Sequence, residues 1–173
     1  MAATEKRTMW LYSGPAPEVE TRKIATTQGV YMPGAICSLN SSGVIELAHT
    51  SDSANDNVYG LLLEGVTAAL AANTEVKVAK FHEDQQWCIF VETGGADTTV
   101  AQSNVGNKYG ITVSATAGEI GYATLKLDSG TTNVCMIVRD IMSNVESSKY
   151  TTSDSPGVAI VSVLANNIQA VHA

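Results

Sequence analysis

The side chains able to carry proton, metal or nucleophile chemistry are few and far apart. The three histidines are His49, His82 and His172, and the three cysteines are Cys37, Cys88 and Cys135. No histidine has a second one two, three or four residues away. Such spacings would aim two imidazoles at one ion. His82-Glu83-Asp84 offers three ligand types in a row, but adjacent residues of a turn point in different directions, and a solvated turn is the plainer reading. Asp52 with Asp56, and Asp128-Ser129-Gly130, fall short of the ligand count of a calcium loop. A GxSxG elbow, a P-loop, a GxGxxG after a strand and an HExxH helix are all absent. Asn40-Ser41-Ser42 matches a glycosylation sequon and is read as a turn. The sequence therefore nominates no catalytic, cofactor-binding or metal-binding residue. It predicts a protein that is not an enzyme and carries no cofactor.

Composition narrows the partners. The 173 residues carry a net charge of −7, and 16% are charged, against roughly 25% in an average domain. The longest basic clusters are the pairs Lys6-Arg7 and Arg22-Lys23. Neutralising phosphates needs a larger basic footprint, so nucleic acid is not expected as a partner. No apolar run reaches the ~18 residues of a membrane span, and the N-terminus lacks the apolar core of a signal peptide. Neither membrane insertion nor secretion is expected. Three widely spaced cysteines without a CxxC read as reduced, half-buried thiols of a protein made in a cytoplasm.

The elements that must position these residues are strands. In Thr74 to Phe81, Val76 and Val78 share one face and Glu75 and Lys77 the other. In Trp87 to Glu92 both faces are apolar, so that strand is expected to be covered on both sides. The polar residues 82–86 between them suggest a hairpin spanning 74–92. Further strands are expected at 24–30, 35–39, 44–48, 58–64, 109–113, 118–127, 133–141, 158–164 and 168–171, separated by Gly-, Asn-, Ser- and Pro-rich turns. Residues 68–73 have helical propensity but are too few for a helix of their own. No fixed-period repeat is visible.

Residues 1–23 differ from the rest. They hold both basic pairs and two of the four prolines, Pro15 and Pro17. They read as an extended arm outside the core, with Trp10-Leu11-Tyr12 as an apolar anchor for a partner. The expected fold is all-β. An extended arm (1–23) precedes a barrel-like β-tulip unit (24–92) and a second small β-barrel or sandwich (93–173).

Three segments carry a resemblance. GAICSLNSSGVIELA is a strand, a Ser-Ser turn and a strand ending in Leu-Ala; VYGLLLEGV follows an Asp-containing polar loop; TEVKVAKFHEDQQWCIFVE closes the series. Their order over 34–92 resembles the head decoration, or cement, proteins of tailed bacteriophages, of the lambda head-decoration type. The resemblance covers about a third of the chain. It implies a β-tulip fold and a homotrimer on the outer surface of the virion head, made in the cytoplasm of a bacterial host. It also implies a partner, the major capsid protein, whose neighbouring subunits it would clamp once the shell has expanded. Trp10, Leu11, Tyr12, Met32 and Pro33 are the expected shell contacts. Two other readings stay open. One is a different virion component, a head-fibre base or tail protein, although no coiled-coil or collagen-like segment is present. The other is a barrel that binds a ligand or carbohydrate, although aromatics make up only 6% of the chain and are scattered.

Overall fold

Alternation sets the first strand to be understood. In β6 (Glu75–Lys80) Val76 and Val78 are buried while Glu75 and Lys77 stay exposed, as the period-two pattern predicts. In β7 (Gln86–Phe90) both faces are covered: Trp87 and Ile89 point into the central core, and Cys88 and Phe90 pack in a cluster on the other side. In the computed structural model the described residues are 8–25, 32–48, 58–65, 74–92, 98–114, 121–127 and 134–168. The segments expected as a strand at 26–30, as the 68–73 link and at 169–171 lie outside them.

The remaining strands are β1 (Trp10–Ser13), β2 (Val19–Lys23), β3 (Ile36–Leu39), β4 (Ile45–Leu47), β5 (Gly60–Leu62), β8 (Lys108–Val113), β9 (Ala123–Lys126), β10 (Met136–Ile141) and β11 (Val158–Val163). One helical turn, α1 (Met142–Val145), follows β10. The chain is nearly all β, in two antiparallel sheets ordered β2-β6-β5-β3-β4 and β1-β7-β11-β10-β8-β9.

The expected 74–92 hairpin does not form. β6 pairs with β2 and β5, whereas β7 pairs with β1 and β11. Residues 81–85 are a corner that carries the chain from one sheet to the other. Phe81 and Trp87 are both buried across it, ring edge to ring face with centroids 5.2 Å apart. Gln85, also buried, accepts from the His82 amide (2.9 Å) and donates to the Pro15 carbonyl (3.2 Å). A polar turn that buries its own glutamine and two flanking rings is held by the core and is not free to fold β7 back on β6. The sheets thus part at 81–85, and the boundary expected at 92/93 falls inside the second one.

A tandem repeat is present that the sequence did not reveal. Without β1, the second sheet runs β7-β11-β10-β8-β9, the order of the first with each strand replaced by the one five places later. The registers also match. Lys23 faces Glu75 as Phe90 faces Val158, and Gly60 faces Lys80 as Met136 faces Val163. Cys37 faces Gly60 as Tyr109 faces Met136, and Leu39 faces Ile45 as Ile111 faces Leu125. Each sheet curls back on itself through one parallel bridge, Ile24 to Ile45 and Val91 to Leu125. The linking bonds correspond as well. Ile24 N–H donates to Thr74 and Val91 N–H to Gly157, both at 2.9 Å. Gly34 and Gly106, two residues before β3 and β8, sit at φ +87° and +86°, a conformation that favours glycine. The matched strands share almost no residues: VETRKI in one unit stands where QWCIFV stands in the other. Backbone hydrogen bonding preserves the repeat, and backbone bonds leave no period in the sequence.

The core runs through both units. Ile36, Val58 and Leu61 of the first join Trp87, Ile89, Leu125, Met136 and Val161 of the second in one cluster. A smaller cluster of Ile24, Ile45, Tyr59, Leu62, Val76 and Val78 fills the first unit. Each buried aliphatic side chain contributes about 1.5–3 kcal/mol. A Cβ at Gly60 would collide with the Ala79 carbonyl, so β5 and β6 can approach only over a glycine. Cys37, Cys88 and Cys135 form no disulfide and are fully buried, deeper than the half-buried state expected.

Candidate docking surface

Residues 10–13 and 19–23 of the expected arm are not outside the core. β1 is the edge strand beside β7, and β2 is the edge strand beside β6, so the arm is stitched to both units. The turn between them is close-fitting. Gly14 sits at φ +106°, and a Cβ there would lie 2.5 Å from the Asp84 carbonyl. Ser13 donates to Gln86 across the pair (3.1 Å).

Strand alternation splits the predicted anchor. Met9 is buried in the central core and Leu11 packs against it from the same face of β1. Trp10 points to the other face and packs on Phe90, with ring centroids 5.7 Å apart. Tyr12 is 40% exposed. Leu11 and Pro33 meet at a groove of about 340 Å³ between the arm and the first sheet, whose walls also include Pro17, Leu61, Leu63 and Trp87. Met32, half-buried, does not line it. The structure thus brings two of the five expected contact residues to one place; Trp10 lies on the far side of its strand, and Tyr12 sits at a register shift in the β1–β7 pair and does not line the groove. Gly34 keeps the groove's rim tight, since a Cβ there would press on the Thr8 side chain.

Two features of this surface escaped the sequence reading. Leu63 is 46% exposed at the groove rim; the signal was present in Leu61-Leu62-Leu63, since a strand cannot bury three successive side chains on one face. The Trp87 indole N–H, in a residue only 3% exposed, has no hydrogen-bond acceptor among the described residues.

A second cluster lies on the inner side of β2. Glu20 accepts from the Tyr59 hydroxyl (2.5 Å) and from Arg22 Nε (2.8 Å), and pairs with Lys80 Nζ (2.7 Å). The Arg22 guanidinium also stands 5.6 Å from the Tyr59 ring centroid. Burial pushes the Glu20 carboxyl up, but hydrogen bonds from Lys80, Tyr59 and Arg22 outweigh it and hold the group at about 2. Burial, followed by the bond to Glu20, pushes the Tyr59 hydroxyl up to about 12. Every member is satisfied by another, so the cluster works as a clasp between β2, β5 and β6.

No family model, curated protein or solved structure matches the chain.

The remaining chemistry is sparse. His82 Nδ1 and Asp84 Oδ2 lie 3.5 Å apart in an exposed turn, and no group of three His, Cys, Asp or Glu side chains converges among the described residues. No helix among them is long and apolar enough to cross a membrane. His49, Asp52, Asp56, Asp128 and His172 lie outside the described residues.

Proposed function

We propose that this chain is a structural virion protein that binds the outer surface of a phage head and clamps neighbouring major capsid subunits, without enzymatic activity. The observation that carries this reading is the arm. Eight to twenty-three residues from the N-terminus the chain lies across both β units, and an apolar groove with an exposed rim leucine opens beside it. A protein that works by contact needs such a surface held rigid, and the stitched arm holds this one. The decoration-type order of segments over 34–92 supports the same reading. A homotrimer would present three such surfaces, and engaging several at once raises avidity by ~10²–10⁴ over one contact.

The test is co-sedimentation with expanded heads that lack the protein. The intact chain is expected to pellet with them. Leu63→Asp, which puts a charge on the groove rim without touching the core, is expected to weaken pelleting on the order of tenfold or more, the cost of desolvating an unpaired charge. An intact chain that stays in the supernatant would refute the reading.

The groove favours one alternative, a ligand-binding β protein. Its volume sits at the lower end of small-molecule sites, about 300–1,000 Å³, and its walls are mostly apolar, as such sites are. An apolar ligand that quenches tryptophan fluorescence saturably in solution, in a chain indifferent to heads, would favour it.

A further inference from the structure

We infer that the free edge of β2 is a strand-addition site for an extended, basic segment of a protein partner. The repeat supplies the template. β2 of the first unit corresponds to β7 of the second, and β7 has a strand on each side, β11 and β1. β2 has only β6. Among the described residues, no strand fills in the first unit the position that β1 fills in the second.

The backbone phase is right for addition. Lys80 N–H donates to Glu18 and Ile24 N–H to Thr74, so the even-numbered residues of this stretch turn their amides and carbonyls toward β6. Val19 and Thr21 turn theirs outward. Thr21 corresponds to Cys88, the residue that faces Trp10 across the β1–β7 pair. Val19 is 55% exposed and Thr21 is exposed, so nothing among the described residues covers this edge. Beyond it the edge closes, because Ala25 N–H donates to Ile45 (2.8 Å). The open window is Val19 to Thr21, the same three positions that β1 occupies on β7.

Charge selects the occupant. If two copies paired over this window, two Glu20 side chains would stand directly opposite each other, which is destabilising in an antiparallel pair. A foreign segment escapes this. Glu18, with a side chain 69% exposed, borders the window and shares Lys80 with Glu20, which Arg22 also neutralises. A lysine or arginine beside Glu18, at the end of the added strand, would give that exposed carboxylate a cation of its own. The net charge of −7 also draws a basic segment in.

The probe is a fluorescently labelled five-residue peptide of alternating valine and lysine, added to the full chain and read by anisotropy. Binding is expected, on the order of tenfold weaker when the lysines become glutamates. Thr21→Pro removes only an outward-facing donor, which an edge strand tolerates, and is expected to weaken binding about tenfold with the circular dichroism unchanged. Should Thr21→Pro misfold, N-methylated peptides decide: methyls on one alternate set of amides are expected to abolish binding and those on the other set to leave it. Absence of binding at millimolar peptide overturns the inference. So does equal binding of the glutamate peptide, or equal effects of the two methylation patterns. Shells play no part in this test, so it stands or falls apart from the head-surface reading.

Discussion

Glu20 shows how one side chain can tie an edge strand to a sheet. Its carboxylate receives donors from β2, β6 and the residue before β5, and the clasp lies three-quarters or more out of solvent. Glu20→Gln leaves Arg22 and Lys80 short of a counter-charge and is expected to cost about 1–3 kcal/mol in urea unfolding. The pH dependence has a definite sign. The folded-state carboxyl titrates near 2 and its ordinary value is 4.5. Its contribution is therefore complete above about pH 4.5 and is lost as the pH falls toward 2. Tyr59 acts at the other end, since its hydroxyl is raised from 10 to about 12. That contribution is intact below pH 10 and is lost as the pH climbs through 12. Stability measured from pH 5 to 2 should fall less steeply in Glu20→Gln than in the native chain; parallel curves would count against the clasp. Gly60→Ala is the harsher change. The new methyl meets the Ala79 carbonyl, and the expected loss is several kcal/mol.

At the scale of elements, β1 is the strand to probe. Trp10→Ala strips the cover from Phe90 and should destabilise by about 2–4 kcal/mol, whereas Tyr12→Ala on the exposed end should stay within about 0.5 kcal/mol in thermal unfolding. Deleting residues 1–23 would remove β1 and β2 together and bare one edge of each sheet, so it would test folding more than docking. Much at this scale was legible in the sequence. The alternation of Val76 and Val78, the two apolar faces around Ile89 and the turn at Asn40–Gly43 all appear as read. That turn is closed by Asn40 Oδ1 accepting from the Ser42 and Val44 amides. What was not legible is which strand pairs with which. The residues 82–86 look like any hairpin loop, and only the burial of Gln85, Phe81 and Trp87 makes them a corner. Nor did Trp10-Leu11-Tyr12 declare itself a strand, because three apolar residues in a row carry no alternation. The groove depends on Leu11, Pro33 and Leu63 meeting from distant parts of the chain, which no local pattern encodes.

At the scale of the molecule, two units of one topology share a core and are bridged by one arm. The second closes its first strand with β1, and the first leaves the matching edge open. This asymmetry gives the repeat a built-in place to take a partner, and the groove gives it another. Both lie on or beside the arm. On the proposed function, the chain holds shells together. The measurement that tests it most directly is the melting of expanded heads by calorimetry, with and without saturating protein. A shell transition displaced upward by several degrees is expected, with Leu63→Asp giving little displacement at the same concentration. An unchanged shell transition in the presence of the folded native chain would contradict it.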